Sequence, residues 1–569
     1  MLNSFYDGVF EKMPFKKWAI KKIKIVPTLF SLTSSVLLIT WSSPTTALAQ
    51  DGVDDYFYLS ELCLLWKDLD SPEESLAACD RAIGIRASER LLWKNRADIL
   101  VALKQYAKAV ISYSRYLTFD PNHSDVLTQQ CFALVQLENS LAAVDACGEA
   151  LRIDNQWEET NPAIAWNYQG IALAQLDKQN EALLAFANAL ELNPDYAEAW
   201  ASRCQLLWQI EDYTEALTAC DRALITNQNW GNLSPADAWA TQGEILYQLA
   251  RYDQAINAYN QALAINPNLG HIWTQLGQIL DILGQHEEAK VAHAKAVALN
   301  PDSAIALLRQ CTNLNRLNDY EPALAACELA ITKILPQSPN RQKLIAWDQQ
   351  GNALIGLGRY NEALAAFNRA IALSSTYADA WSNRSVALWH LGRFEEALAS
   401  SDRALTIAPN SSLAWYNKGR ILTTQGDLVA AAAAYDRALK GETNLVHSSL
   451  LEDIWINLSA VLLRLENYRE AVTATDNALA LNPDLSMALY NQALALTSLG
   501  SYLRAIDLYD EAIATNPENA DFWAGKGIAL QFLQRYPEAL ASFEKALEFN
   551  PTHPQALVNR DLLQQALSN

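Results

Sequence analysis

The sequence contains few residues that break helices, since its 569 residues include only 20 glycines and 19 prolines. Charged residues are also sparse, at 19%, whereas hydrophobic residues make up 50% of the chain. This hydrophobic share is larger than intrinsic disorder allows. The many alanines and leucines favour helices and give strands little support. The composition therefore predicts a folded protein that is mostly helical.

Catalytic motifs are missing as well. The sequence has no glycine loop of the kind that cradles phosphate, no H-E-x-x-H and no G-x-S-x-G. Acidic pairs such as Glu395 and Glu396 fall at the polar start of predicted helices, where they favour the helix dipole. We therefore expect no enzymatic activity, no cofactor and no metal site.

Positive charge is in deficit, because 43 lysines and arginines oppose 64 acidic residues, for a formal net charge of −21. The first 49 residues hold six lysines and two acidic residues, so the rest of the chain carries −25. A surface of this sign repels phosphate backbones. Nucleic acid is therefore not an expected partner.

Long hydrophobic stretches are limited to the N-terminus. Five lysines between residues 16 and 24 precede a mostly apolar run from Ile25 to Trp41, and Ala47 and Ala49 then occupy an A-x-A cleavage pattern. Residues 1–49 are predicted to be a signal peptide and residues 50–55 a short linker. The alternative is an uncleaved anchor, the one case in which we expect membrane contact, although Pro27 interrupts the run. Both interpretations place the chain in the periplasm or another oxidising extracytoplasmic compartment.

A chain of this length is too long for a single hydrophobic core, so several domains or a repeat array are expected. A period of 34 residues runs from residue 56 to residue 553 in fourteen units, with short inserts after units 3, 5, 8 and 11. Numbering each unit from its first residue, places 20 and 27 are alanine in thirteen of the fourteen units. Apolar spacings of three and four predict two amphipathic helices per unit. One such hairpin cannot bury its apolar face, so the units are expected to stack. The inserts are interpreted as seams where the superhelix changes twist, and surface insertions without a role are the alternative.

This pattern is similar to that of the tetratricopeptide repeat family. Unit 9 shows the match most fully, through Trp347, Gly351, Leu354, Gly358, Tyr360, Ala363, Phe367 and Ala370. The resemblance implies an all-α, right-handed superhelical α-solenoid of about 14 antiparallel helix hairpins, with residues 554–569 forming a C-terminal capping helix and tail. It also implies that the first helix of each unit lines a concave groove, and that the partners are other proteins or peptide segments.

All eight cysteines lie in the repeats, at places 8 and 24 of the same four units. In an antiparallel hairpin the facing places sum to a constant, so place 8 is expected to face place 24. Cysteine as a small apolar filler would not explain this coincidence. In an oxidising compartment the pattern predicts four disulfides, namely Cys63–Cys79, Cys131–Cys147, Cys204–Cys220 and Cys311–Cys327.

Asparagine recurs at place 6 of the first helix in the C-terminal units. The series comprises Asn383, Asn417, Asn457, Asn491 and Asn559. Because an amide both donates and accepts hydrogen bonds, a ladder of amides can grip an extended peptide. The series is similar to the asparagine ladder in the repeat region of O-linked N-acetylglucosamine transferases, whereas solvated surface asparagines are the alternative. Trp389, Tyr416 and Tyr490 occupy nearby groove places and are expected to be apolar anchors.

These observations predict a non-enzymatic, extracytoplasmic protein–protein interaction scaffold. We expect its concave groove to bind extended peptide segments during assembly of envelope or membrane complexes. The alternative is a structural or oligomeric element that uses its convex face and seams and has no peptide ligand.

Overall fold

The computed structural model describes residues 51–65, 71–226, 228–441 and 448–568, which hold 29 helices and no strand. The predicted leader, residues 1–49, lies outside the described residues. In chain order the helices are α1 (Asp51–Leu64), α2 (Pro72–Ile85), α3 (Arg90–Ala102), α4 (Tyr106–Leu117), α5 (Ser124–Gln136), α6 (Ser140–Ile153), α7 (Pro162–Gln175), α8 (Gln179–Leu192), α9 (Ala197–Gln209), α10 (Tyr213–Thr226), α11 (Pro235–Gln248), α12 (Tyr252–Ile265), α13 (Gly270–Ile282), α14 (His286–Leu299), α15 (Ala304–Arg316), α16 (Tyr320–Lys333), α17 (Asn340–Gly356), α18 (Tyr360–Leu373), α19 (Ala378–His390), α20 (Phe394–Ile407), α21 (Ser412–Gln425), α22 (Leu428–Leu439), α23 (Ser448–Arg464), α24 (Tyr468–Leu481), α25 (Ser486–Ser498), α26 (Tyr502–Thr515), α27 (Ala520–Phe532), α28 (Tyr536–Phe549) and α29 (Pro554–Ser568).

The odd-numbered helices from α1 to α27 are the first helices of the units, and each packs against the even-numbered second helix that follows it. First helices of consecutive units also contact one another, whereas second helices of consecutive units make no extended contact within the described residues. The first helices therefore form the inner row of the stack and the second helices the outer row. This arrangement, closed by α29, confirms the predicted all-α superhelical solenoid.

The turn between the two helices of a unit depends on one backbone conformation. Place 15 has a positive φ in each of units 2 to 14, from 55° at Ala250 to 85° at Gly426. Glycine adopts this conformation without strain, and it occupies place 15 in five units. In the other eight units a longer side chain takes the left-handed conformation, so the stacking of the helices, and not glycine alone, sets the turn.

Tryptophans at place 4 connect several units to the turn that precedes them. In six units the indole Nε1–H donates a hydrogen bond to the backbone carbonyl six residues earlier, at 2.8 to 3.1 Å. The indoles concerned are those of Trp93, Trp200, Trp273, Trp381, Trp415 and Trp523. The recurring tryptophan therefore fills space between the helices and also satisfies a carbonyl that the end of the preceding helix leaves free.

Places 8 and 24 face each other in the hairpins, as the antiparallel geometry predicts. Glycine at place 8 lies under an aromatic ring in six units, as Gly351 lies under Phe367, and alanine does so in two others. Units 10 and 12 pair small hydroxyl residues, Ser385 with Ser401 and Ser459 with Thr475. Cysteines fill both places in the remaining four units, with Cα atoms 4.8 to 5.5 Å apart and sulfurs at bonding distance. Each pairing thus joins a small residue to a ring or two small residues to each other.

The N-terminal end of the array differs from the expectation, because residues 51–55, predicted as a linker, form the first turn of α1. At the other end, α29 packs against α28 and exposes Val558 and Leu562.

The contact between places 8 and 24 can be tested at Gly351. A Cβ atom at this position would overlap the ring of Phe367, which is fully buried. We expect Gly351→Leu to destabilise unit 9 by about 1–3 kcal/mol, seen as faster amide hydrogen exchange in α17 and α18. Gly84→Leu is the matched control, because a Cβ atom there has no neighbour within 4 Å. Equal exchange in the two variants would contradict the packing rule.

Candidate functional site

The inserts after units 3 and 5 fold back against the first helix of their own unit. In unit 3 the backbone amide of Ser124 donates to the carbonyl of Asn155 at 3.0 Å, and a carboxylate oxygen of Asp125 accepts from the amides of Glu159 and Thr160 at 3.0 and 2.6 Å. Asp125 is fully buried beneath this loop. The loop thus satisfies free amides at the start of α5, and the start of α5 satisfies amides of the loop.

Unit 5 repeats the same arrangement. The amides of Ala197 and Glu198 donate to carbonyls of residues 228 and 229 at 3.1 and 3.3 Å, and a carboxylate oxygen of Glu198 accepts from the amide of Asn232 at 3.0 Å. Gly231 has a φ of 53° and lies so close to Glu198 that a Cβ atom would overlap the carboxylate. Each loop is therefore built around a buried acidic residue at place 2.

The inserts after units 8 and 11 have a different form. They lengthen the first helix that follows, so that α17 and α23 each have 17 residues, where most first helices have 13 or 14. The four inserts therefore take two forms, and their interpretation as seams stays a prediction. Two of them are loops held to the inner row of helices, and two are extra helical turns.

A cavity of about 290 Å³ lies between units 3, 4 and 5, on the inner row of helices. The first helices α5, α7 and α9 form its walls, and Asn232 and Leu233 of the unit-5 insert close one side. Its surface combines apolar residues, such as Phe132, with the carboxylates of Glu138 and Glu198. The Nδ2 of Asn232 also donates to the Tyr168 hydroxyl at 3.1 Å, which ties the insert across the cavity to α7.

Glutamines form an exposed series on the inner row that the sequence analysis overlooked. Place 13 is glutamine in four consecutive units, at Gln136, Gln175, Gln209 and Gln248, and all four side chains are exposed. Gln136 and Gln175 line the cavity, as does Gln205 at place 9. A comparison of place 13 along the repeats would have found the series, whereas only place 6 was compared.

A cluster of charged side chains surrounds Lys94 of α3, in unit 2. Lys94 is 6% exposed, and its Nζ lies 3.5 Å from Asp98 and 3.9 Å from each of Asp125, Glu158 and Glu159. Burial lowers the pKa of Lys94, but these carboxylates together raise it above the ordinary value. The cluster joins the unit-3 insert to α3, and its four carboxylates outnumber the single lysine.

The predicted asparagine ladder is engaged in packing between units. Asn417 and Asn491 are only 4% and 3% exposed, and their Nδ2 groups donate to the hydroxyls of Ser382 and Ser459 at 3.0 and 2.9 Å. Asn383 is half-buried and donates to Asp348 at 3.0 Å. These side chains extend from one first helix to the preceding one and donate hydrogen bonds there, so they do not form a row of free amides.

The other members of the series also have protein partners. Asn457 donates to the carbonyl of Asp453 at 2.7 Å, and Asn559 donates to that of Gln555 at 2.8 Å, each within its own helix. Both residues are half-buried. They do not extend the ladder into the groove.

The structure brings two of the predicted anchors together around an arginine. The guanidinium of Arg420 lies 4.3 Å from the Trp389 ring and 5.6 Å from the Tyr416 ring, and the Trp389 indole donates to Thr424 at 2.9 Å. Burial raises the pKa of Tyr416 to about 12. Tyr490 lies apart from this cluster, with its ring centroid 5.0 Å from that of Phe522. Sequence reasoning missed Arg420, although it occupies place 9 of unit 11.

Two further features of the described residues concern membrane spans and metal sites. None of their helices combines the length and hydrophobicity that a membrane span requires. No group of three or more metal-ligating side chains is found in this part of the chain.

Comparison with known families gives a consistent result. A model described as tetratricopeptide repeat matches residues 169–232, 349–412, 409–444, 458–520 and 498–556. Three more models with this description match residues 236–269, 258–291 and 92–123. The matched segments together span more than half of the chain.

Individual proteins show more distant similarity. A DnaJ homolog subfamily C member 7 homolog of Dictyostelium discoideum is 24% identical, over 29% of this chain and 39% of that protein, so the chain spans less than half the length of this curated relative. The structure of YrrB, described as a TPR protein with an unusual peptide-binding site, gives a TM-score of 0.31 at 23% identity, covering 35% of this chain and 99% of YrrB. The APC/C hetero-tetramer Cut9–Hcn1 gives 0.40 at 15% identity, covering 90% of this chain and 96% of the other.

The contact between Asn383 and Asp348 gives a pH-dependent prediction. Burial raises the pKa of Asp348 to about 7, and hydrogen bonds from Asn383 and Gln349 offset only part of that rise. An acid with a raised folded-state pKa holds its proton longer in the folded chain, so its contribution to stability is complete below about pH 4 and is lost as the pH rises to 7. We therefore expect Asp348→Asn to stabilise the protein at pH 8, by roughly 2 kcal/mol, and to have little effect near pH 4.

Urea denaturation followed by tryptophan fluorescence at both pH values would measure this difference. Glu395→Gln is the control, because Glu395 is an exposed acidic residue on the neighbouring α20. A gain at pH 8 that is the same for both variants would show that net charge, and not the buried carboxyl, is responsible.

Proposed function

Because the chain belongs to the tetratricopeptide repeat family, whose members serve as protein–protein interaction scaffolds, we propose that it is a non-enzymatic, extracytoplasmic scaffold that holds extended peptide segments along its inner surface. Its place would be in the assembly of envelope or membrane complexes. The segment most suited to binding is the surface of units 3 to 6, defined here as the glutamine groove and marked by Gln136, Gln175, Gln209 and Gln248.

The exposure of the glutamine series is the observation that carries this proposal. Gln136, Gln209 and Gln248 make no hydrogen bond with another described residue, whereas Gln175 donates to the carbonyl of Val135 and accepts from Ser140. A free primary amide can donate to a peptide carbonyl and accept from a peptide N–H at the same time. Consecutive units repeat the amide at nearly regular intervals, which suits an extended backbone and demands little of its sequence.

An extracytoplasmic location is supported by two independent features. The N-terminal 49 residues have the basic, apolar and small-residue pattern of a secretory leader. The eight cysteines lie in four pairs within disulfide distance, which is the arrangement expected in an oxidising compartment. The leader and the cysteines are separate parts of the chain, so their agreement strengthens the proposal.

The groove can be tested with the double variant Gln209→Ala and Gln248→Ala. Neither side chain hydrogen-bonds to another of the described residues, so we expect the fold to be unchanged. We expect binding of the labelled full chain to an array of random-sequence peptides to weaken about tenfold, because two amide contacts are lost. The matched control is Gln254→Ala with Gln261→Ala, which removes two exposed glutamines from the second helix α12.

Undiminished binding by the groove variant would refute the proposed peptide site. If the wild-type chain also binds no peptide, the alternative of a structural or oligomeric element without a peptide ligand would be preferred. Sedimentation of the wild-type chain would then decide between monomeric and oligomeric forms of that element.

The disulfides are tested by mass and by hydrogen exchange. We expect protein isolated from its native compartment to be about 8 Da lighter than its reduced form, with two hydrogens lost per bridge. Reduction is expected to destabilise units 1, 3, 5 and 8 by roughly 3 kcal/mol each, according to the chain-entropy model. Amide exchange should therefore quicken in these units and not in units 9 to 14, which contain no cysteine. Free thiols in the native protein would contradict both the bridges and the oxidising location.

A further inference from the structure

We infer that the cavity between units 3, 4 and 5 binds an arginine or lysine side chain of the extended peptide. This inference rests on the proposed function, because it specifies which segments the glutamine groove would select. The evidence comes from the acidic residues of the cavity, from its aromatic wall and from the distribution of charge along the array.

Two carboxylates line the cavity without a cationic partner. Glu198 is 2% exposed, and its oxygens accept only neutral donors, the Tyr196 hydroxyl at 2.7 Å and the amide of Asn232 at 3.0 Å. Glu138 is exposed at the rim, in the turn between α5 and α6. Within the described residues neither carboxylate has a lysine, arginine or histidine at ion-pair distance. A desolvated carboxylate without a counter-ion is costly, and a bound cation would offset that cost.

The pKa of Glu198 agrees with this geometry. Burial raises its pKa, and the hydrogen bonds from Tyr196 and Asn232 counter only part of that effect. A guanidinium or ammonium group in the cavity would lower it again. The described residues thus provide no cation to balance the charge of the Glu198 carboxylate.

Aromatic rings provide a second feature suited to a cation. The ring centroids of Phe132 and Tyr168 are 5.1 Å apart on the cavity wall. Guanidinium and ammonium groups bind favourably over such ring faces, and the aliphatic part of an arginine or lysine packs well against them. Gln136 and Gln205 line the same cavity, and within the described residues their amides make no hydrogen bond. These amides can therefore bind the peptide backbone beside the inserted side chain.

The charge of the array favours basic partners at this end. Residues 56–303, which form units 1 to 7, contain 32 acidic and 16 basic residues, for a net charge of −16. Residues 304–569 contain 27 acidic and 21 basic residues, for a net charge of −6. The N-terminal half would therefore attract a basic segment over several ångströms and repel an acidic one.

The inference is tested with the full chain and three fluorescein-labelled peptides. The peptides share one glycine–serine backbone and carry arginine, glutamine or glutamate at the same central position. In fluorescence anisotropy titrations we expect arginine to bind about tenfold or more tightly than glutamine, and glutamate to bind most weakly. We expect Glu138→Gln with Glu198→Gln to abolish the preference for arginine, since glutamine keeps the shape and the acceptor oxygen but removes the charge.

Two controls separate this effect from folding and from net charge. Glu191→Gln removes one negative charge from an exposed site on the second helix α8 and should leave the preference intact. Gln205→Trp fills the cavity from its rim without removing a carboxylate, and we expect it to weaken binding of the arginine peptide alone. Circular dichroism melts of each variant verify the fold.

The outcomes distinguish this inference from the proposed function. Equal binding of the arginine and glutamine peptides to the wild-type chain would overturn the inference. An arginine preference that survives in the Glu138→Gln/Glu198→Gln variant would also overturn it, by placing the cation elsewhere. In both cases the peptide groove itself would stand as long as Gln209→Ala with Gln248→Ala still lowers binding of every peptide.

Discussion

The fold depends on one repeated contact, between places 8 and 24 of each hairpin. The inner and outer helices can approach closely only if at least one of the side chains at these two places is small. The chain meets this condition in three ways, with a ring over glycine or alanine, with two hydroxyl residues, or with two cysteines. Because the two helices of each hairpin pack closely, consecutive units can stack and their first helices form a continuous inner surface. The groove is a consequence of this packing.

Much of this arrangement could be predicted from the sequence, since the period fixes which places face each other. The cysteine pairs follow from the same reasoning, because Cys204 and Cys220 occupy the facing places 8 and 24 of a single unit. The asparagine series could not be interpreted correctly in this way. Asn417 reaches Ser382 in the preceding unit, and a single-repeat pattern contains no information on contacts between units. The inserts were also beyond prediction, because the loop at Gly231 has no periodic counterpart and its hydrogen bonds to Glu198 depend on the stacked helices.

The two halves of the array use similar chemistry for different ends. In the C-terminal units, the amides of Asn383, Asn417 and Asn491 connect one first helix to the next, so they contribute to the rigidity of the stack. In units 3 to 6, glutamine amides at place 13 are exposed, although Gln175 also hydrogen-bonds to Val135 and Ser140 of the preceding unit. The difference is one of burial, because Asn417 and Asn491 at place 6 are buried, whereas the glutamines at place 13 reach solvent. Whether an amide in a repeat protein is available for binding therefore depends on the place that it occupies in the unit.

The inserts connect these observations. Both loops lie at the N-terminal half, both are held by a buried acidic residue at place 2, and both lie against the inner row where the glutamine series runs. The first loop places Glu158 and Glu159 within 4 Å of Lys94, whose single positive charge offsets part of the charge of these carboxylates and of Asp125. The second loop has no such lysine within the described residues, and Glu198 instead lines a cavity with only neutral donors. Two loops of one design thus differ in whether a cation lies beside their carboxylates. A peptide that brings its own cation to the second loop would complete the ion cluster that the first loop already contains.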